Sequence, residues 1–171
     1  MLQPIYKGTY ERHVPESGGG PSKERDVLIQ VAKDLGRSID YLETRADIDR
    51  ERLAFYGVSV GAYLAPPFLA VEHRFKAAVL QGGGLAFDKP LPEVDPFNFA
   101  PRVTVPVLML NGRYDFTNPP ETSQRPLFRL LATPPRDKRH VLFESGTAVY
   151  PRHELMKEIM DWLDRYLGPV R

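Results

Sequence analysis

A short apolar run that leads into a Gly-x-Ser-x-Gly motif constrains this chain more than any other feature. Residues 53–56 are Leu-Ala-Phe-Tyr, and Gly57-Val58-Ser59-Val60-Gly61 follows them, with helix-forming residues next. An apolar, aromatic run of this kind is typical of a buried strand. Gly-x-Ser-x-Gly between a strand and a helix is the pattern of a nucleophile elbow, in which a serine occupies a sharp turn. The motif predicts Ser59 as a nucleophile and the backbone N–H of Val60 as an oxyanion donor.

Strand and helix patterns alternate around this motif, which predicts an α/β fold with a parallel sheet. Further strands are predicted over residues 75–80, 105–110 and 138–144, and residues 2–6 have the pattern of a strand end. Helical spacing of apolar residues predicts one helix from Asp26 onward and another around Trp162. Pro66 and Pro67 predict a short first segment and a bend in the helix after Ser59. Residues 7–23, rich in glycine, are predicted as a loop.

Length and composition fit a single globular domain over residues 1–171, with 42% hydrophobic and 26% charged residues. A net charge of +1 gives no electrostatic reason to expect nucleic acid or an acidic membrane as a partner. No apolar stretch approaches the ~18 residues of a membrane-spanning helix. The absence of cysteine excludes disulfides, thiolate metal sites and a cysteine nucleophile, and it fits a cytoplasmic location.

A serine nucleophile needs a base to take its proton and a carboxylate to orient that base. When such groups lie on an α/β sheet, they follow the serine in the order Asp or Glu, then His. Asp115 ends a Gly112-Arg113-Tyr114-Asp115 turn directly after the third predicted strand, where an orienting acid belongs. The alternative for this residue is an ordinary loop aspartate that forms an Asx-turn.

Four histidines are candidates for the base. His13 precedes the serine, His73 lies away from the strand tips, and His140 falls within a predicted strand as a packing or edge residue. His153 follows Asp115 and stands at the start of the last helix, so order favours it as the base. The alternative for His153 is a surface residue near a helix N-terminus.

Six segments spread over nearly the whole chain resemble the prolyl oligopeptidase and dienelactone hydrolase-like branch of the bacterial α/β-hydrolases: residues 4–12, 33–45, 57–61, 94–99, 111–115 and 161–169. The resemblance implies a serine hydrolase that acts on a carboxylic ester or peptide bond of a small substrate through an acyl-enzyme. It implies Ser59 as nucleophile and Asp115 as acid, and it requires no metal or organic cofactor.

The chain departs from this branch after the last predicted strand. The family has Glu-Ser-Gly-His there, whereas this chain has Glu144-Ser145-Gly146-Thr147, and its loop before Pro151 is one residue longer. A threonine cannot act as a base near neutral pH. Either His153 supplies the base, or the chain is a catalytically impaired hydrolase fragment, a pseudoenzyme or interaction module.

A second departure is length, because family members extend further at their N-termini and Met1 corresponds to a point inside their fourth strand. The resemblance therefore implies a partial α/β-hydrolase fold without its N-terminal strands. In the family the missing third strand lies between residues 2–6 and the strand of Ser59, so its loss would leave residues 2–6 as a strand stub without a neighbour. The open apolar edge would invite self-association. Some of the loops and caps that set specificity in this fold would also be missing. Phe97, Phe99 and Tyr150 are candidate pocket walls.

Overall fold

The computed structural model describes residues 1–13, 20–86, 89–147 and 149–169, so part of the loop predicted over residues 7–23 lies outside the described residues. Within these ranges the sheet has four strands, all parallel, in the order β1-β2-β3-β4. Each strand therefore lies beside the next strand along the chain. The strands are Ala54–Val58 (β1), Ala77–Gln81 (β2), Val107–Gly112 (β3) and Lys138–Phe143 (β4).

Six α-helices connect and flank the strands in the described ranges: Pro21–Glu43 (α1), Val60–Tyr63 (α2), Ala65–Val71 (α3), Pro96–Phe99 (α4), Arg125–Leu130 (α5) and Arg152–Leu167 (α6). The helices predicted from Asp26 onward and around Trp162 are confirmed as α1 and α6. The predicted break after Ser59 is also confirmed, because α2 ends at Tyr63 and α3 begins two residues later. Prolines in the first turn of α3 suit a helix start, where their missing N–H costs no hydrogen bond.

The core lies on both faces of the sheet, as expected for an α/β fold with buried parallel strands. Side chains that alternate along each strand point to opposite faces. On one face they pack against α1, α2, α3 and α5, and on the other against α6. The residues that best mark the two faces are Ala78, Leu80, Val107 and Met109 on the first, and Ala77, Val79, Leu108 and Leu110 on the second.

Residues 2–6 do not form the predicted strand end. They run as irregular chain against α1 instead, where the N–H of Lys7 donates to Asp34 Oδ2 at 2.8 Å. Arg12 Nη1 joins the same carboxylate at 2.7 Å to the carbonyl of Ile5 at 2.9 Å. Arg12 thus binds the backbone at Ile5 and Asp34 binds it at Lys7, while Pro4 has no N–H to offer a sheet. The prediction is wrong because these residues pair with no described strand, and their neighbouring backbone bonds to side chains instead.

The outer edge of the sheet belongs to β1, which pairs with β2 and with no other described strand. Tyr56 and Val58 remain 46% and 49% exposed on this strand. Alternate peptide groups of β1 face away from β2, and the strand carries no charge or proline that would discourage pairing with another edge. By contrast, β4 at the opposite edge carries the charged residues Lys138 and Arg139. The open edge is therefore unguarded.

We expect this edge to cause self-association. Val58→Lys should abolish it, because a charge on an edge strand opposes pairing with a second copy. Met156→Lys is the matched control, since Met156 is 48% exposed on α6. Light scattering coupled to size exclusion over a range of concentrations measures the effect. The expected result is a mass that rises with concentration for the wild type and the control but not for Val58→Lys. A wild type that stays monomeric throughout contradicts the expectation.

Candidate active site

Ser59 occupies a strained turn between β1 and α2. Its backbone has φ 53° and ψ −113°, a conformation that residues with a side chain rarely adopt. Its N–H donates to the carbonyl of Gln81 at 2.8 Å, which ties the turn to the end of β2. The serine side chain is exposed to solvent. This is the geometry that the Gly-x-Ser-x-Gly pattern predicts for an elbow serine.

Close packing explains the first glycine of the motif. A Cβ added to Gly57 would lie 2.5 Å from the carbonyl oxygen of Gly61 and 2.8 Å from Cε1 of Phe55. A Cβ added to Gly61 would meet no described atom within 4 Å. The turn also packs against the loop after β2, since a Cβ on Gly83 would lie 2.5 Å from Cβ of Ala62. Only glycine fits at positions 57 and 83, and the Ser59 turn is held from two sides.

Val60 is the first residue of α2, and its N–H donates to no described residue. Groups at this position of a helix have no partner within the helix and are available to an anion. Val60 is also 65% exposed, and it directly follows the exposed Ser59. Its N–H therefore lies beside a solvent-accessible serine. The arrangement can donate one hydrogen bond to a developing oxyanion on a carbonyl attacked by Ser59.

Asp115 is a buried carboxylate, 2% exposed, in the loop after β3. Its Oδ1 accepts three hydrogen bonds of 2.9 Å, from the N–H groups of Thr117 and Asn118 and from the hydroxyl of Thr147. Its Oδ2 is buried and has no partner among the described residues. The structure thus joins Asp115 to Thr147, and it leaves one carboxylate oxygen free to accept.

His153 lies in the first turn of α6 and is exposed. No hydrogen bond joins it to Ser59 or Asp115, so the structure does not bring these three residues into one linked set. His73 lies between α3 and β2, at the opposite end of the strands from Ser59. His140 lies within β4 and packs against the ring of Phe128 at 5.6 Å between centroids, the packing role predicted for it.

Tyr150 reaches the site from the segment before α6. Its hydroxyl donates to the carbonyl of Thr147 at 3.1 Å. A Cβ added to Gly82, directly after β2, would lie 3.1 Å from the Tyr150 oxygen. Burial, followed by the charge of Asp115, raises the pKa of Tyr150 to about 12. The sequence singles out Tyr150 merely as a candidate pocket wall, because nothing in its local pattern shows which strand end its side chain reaches.

A buried amide network that the sequence reasoning missed holds these loops. Asn111 Nδ2 donates to the carbonyl of Gly83 at 2.8 Å. Gln124 Nε2 donates to the carbonyls of Gly112 at 3.1 Å and Asn118 at 2.6 Å. Asn111 and Gln124 are both fully buried. The signal was an asparagine inside an otherwise apolar strand, since a buried amide must find partners and here finds the loop backbone.

In the described residues, no group of three or more histidines, aspartates or glutamates is placed to hold a metal ion. None of the helices in the described ranges combines the length and apolar character needed to cross a membrane.

Solved structures share this fold. A cold-adapted esterase from an Arctic intertidal metagenomic library matches with a TM-score of 0.67 and 25% identity, over 83% of this chain and 59% of its own. An acetyl xylan esterase from Paenibacillus sp. R4 gives a TM-score of 0.69 and 25% identity, over 82% and 54%. An acylaminoacyl peptidase from Pyrococcus horikoshii gives 0.67 and 18%, over 84% and 29%. No family model and no curated relative matches the sequence.

The chain is an α/β-hydrolase by fold, as the resemblance in its sequence implies. Two of these neighbours are esterases and the third is a peptidase, and all three share the fold. The chain spans 59% and 54% of the length of the two esterases, so its four strands correspond to part of their structures.

His140 should make stability depend on pH. Burial, with the charge of Arg125 second, lowers the pKa of His140 from 6.5 to about 4. Between these values the unfolded chain binds a proton that the folded chain does not. The free energy of unfolding should therefore fall, by roughly 3 kcal/mol, as the pH drops from about 7 towards 4, and this contribution stays level above about 7.5. His140→Leu should flatten the decline in urea denaturation between pH 4 and 8. An unchanged decline contradicts the prediction.

Strain at Ser59 predicts that glycine stabilises the fold at this position. Ser59→Gly should raise the free energy of unfolding by about 1 kcal/mol relative to Ser59→Ala. Both variants remove the hydroxyl, but only glycine accepts φ 53° without steric cost. Chemical denaturation of the two variants side by side measures the difference. If Ser59→Gly is the less stable of the pair, the backbone is not strained as described.

Proposed function

We propose that this protein hydrolyses a carboxylic ester, or the related peptide bond, of a small substrate through an acyl-enzyme on Ser59. The observation that carries the proposal is the backbone of Ser59, an exposed serine at φ 53° in front of the free N–H of Val60. Strained backbone of this kind costs about 1–3 kcal/mol and is concentrated at functional sites. The likeness to two esterases at 25% identity supports the same chemistry.

In the proposed reaction, Ser59 Oγ attacks the carbonyl carbon of the substrate while a base takes its proton. The N–H of Val60 stabilises the oxyanion of the tetrahedral intermediate. The carbon–oxygen bond to the leaving group then breaks, the leaving oxygen receives the proton held by the base, and an acyl-Ser59 remains. Water attacks this acyl group by the same sequence of proton transfers and releases the acid.

His153 is the proposed base, and Asp115 is the proposed acid that orients it. The free Oδ2 of Asp115 is a buried acceptor that an imidazole N–H would satisfy. To make this contact, the side chain of His153 or the first turn of α6 that carries it has to move. The N-terminal end of α6 supports such a change, because Pro151 precedes it and makes no side-chain hydrogen bond to the helix. Helix N-termini without such a cap are less stable by about 1 kcal/mol.

A second candidate is a catalytically impaired hydrolase that keeps the fold without a working base. The hydroxyl of Thr147 supports it, because that hydroxyl donates to Asp115 at 2.9 Å while His153 is bonded to neither Asp115 nor Ser59. A threonine hydroxyl can satisfy a carboxylate but cannot take a proton from serine near pH 7. The two candidates differ in whether Ser59 is activated.

Labelling by a fluorophosphonate probe, followed by intact mass, separates the two candidates. The wild type should gain one adduct, and Ser59→Ala should gain none. His153→Ala should label about 10²-fold or more slowly, because the loss of a general base costs about that much. His73→Ala is the matched control and should label like the wild type, since His73 lies at the far end of the strands.

Circular dichroism on each variant establishes that the protein compared is folded. Labelling that requires Ser59 but ignores His153 would contradict the assigned base and leave the nucleophile in place. Folded wild type that does not label would contradict the hydrolase proposal and favour the impaired candidate. Thr147→His, which puts an imidazole beside Asp115, should then create labelling where there was none.

A further inference from the structure

The tyrosine at position 150 stands in the gap between the candidate nucleophile and the candidate acid. Ser59 follows β1, Gly82 follows β2 and Asp115 lies in the loop after β3, so the end of β2 separates the two. The Tyr150 oxygen lies over that end, 3.1 Å from where a Cβ of Gly82 would be. Gly82 has φ +66° and no side chain, so both its backbone and its size leave room for the phenol.

A contact with Phe143 holds the Tyr150 ring at this end of the sheet. Its ring packs edge-to-face on Phe143 at 5.7 Å between centroids, which anchors it to the end of β4. Burial, followed by the charge of Asp115, raises the pKa of Tyr150 to about 12, so the oxygen keeps its proton and acts as a donor at neutral pH.

We propose that Tyr150 is a catalytic residue whose hydroxyl donates a hydrogen bond to the leaving-group oxygen of an ester bound at Ser59. This inference rests on the proposed function. Any group that carries the serine proton to the leaving oxygen has to bridge Ser59 and Asp115, so the leaving oxygen faces the gap between them. The N–H of Val60, at the start of α2, serves the other oxygen, that of the substrate carbonyl.

The proposed step needs no proton from the tyrosine. As the carbon–oxygen bond breaks, its electron pair goes to the leaving oxygen, and the hydrogen bond from Tyr150 stabilises the charge that develops there. The proton that this oxygen finally takes is the one removed from Ser59. Rotation about the Cζ–Oη bond turns the hydroxyl from the carbonyl of Thr147 to the substrate, and the ring stays packed on Phe143.

Tyr150→Phe tests this role, because it removes the hydroxyl and keeps the ring. Ethyl acetate and p-nitrophenyl acetate share one acyl group, but the ethoxide leaving group is strongly basic and the nitrophenolate is not. The kcat/KM for ethyl acetate should fall about 10²-fold, the effect of losing one hydrogen-bond donor to a developing charge, while that for p-nitrophenyl acetate should change far less. Tyr166→Phe is the matched control. Tyr166 lies on α6, and its hydroxyl donates to Asp137 at 3.1 Å, just before β4 and at the opposite end of the strands from Ser59.

Equal losses for both esters would assign Tyr150 a structural role and overturn the inference, and so would no loss for either. Absence of Ser59-dependent hydrolysis of p-nitrophenyl acetate by the wild type would instead overturn the proposed function. The position of the phenol is then tested without a catalytic assay, by measuring its pKa with fluorine NMR of 3,5-difluorotyrosine at position 150. Ser59→Asp should raise the pKa of that phenol, because the new carboxylate would face it. An unaltered pKa would place Tyr150 away from Ser59 and overturn the inference.

Discussion

Asp115 is a carboxylate that is 2% exposed, and the candidate site depends on how its charge is satisfied. A charge so far from water has to be held by donors. Two come from its own loop and the third is the hydroxyl of Thr147, four residues beyond β4. One buried group therefore ties together the loops that follow the last two strands. Its Oδ2 has no donor among the described residues, and the two proposed candidates differ in whether an imidazole N–H can bind there.

The strained serine turn depends on a different kind of contact, close packing of backbone without side chains. Strain of this kind persists when the surroundings leave no room for a relaxed conformation. Here Gly57 lies against Gly61, Gly83 lies against Ala62, and the N–H of Ser59 is bonded to Gln81. The loop after β2 thus contributes to the nucleophile although it carries no reactive group.

Much of the fold could be predicted because its signals are local. Apolar runs marked β1 to β4, helical spacing marked α1 and α6, and the paired prolines marked the break before α3. The serine turn was equally accessible, since its motif requires the backbone that the structure has. These patterns depend on residues a few positions apart, and the sheet order follows from short connections between parallel strands.

The rest depended on contacts between distant parts of the chain. The sequence of residues 2–6 predicts a strand end, but Asp34 and Arg12 hold this segment against α1. No local pattern indicates the contact between Arg12 and Asp34. Tyr150 is unremarkable in the sequence, and its position over Gly82 follows from the packing of its ring on Phe143. Side chains that act across loops can be located only once the strand ends have been brought together.

The sequential order of the strands has a consequence for how the chain is made. Chains emerge from the ribosome N-terminus first, and here each new strand finds its neighbour already synthesised. The serine turn is complete once β2 has appeared, because Ser59 is bonded to Gln81. Asp115 gains its third donor only after Thr147 emerges, and α6 follows. The proposed chemistry therefore becomes available only after β4 and α6 have been made, which separates formation of the serine turn from reactivity in time.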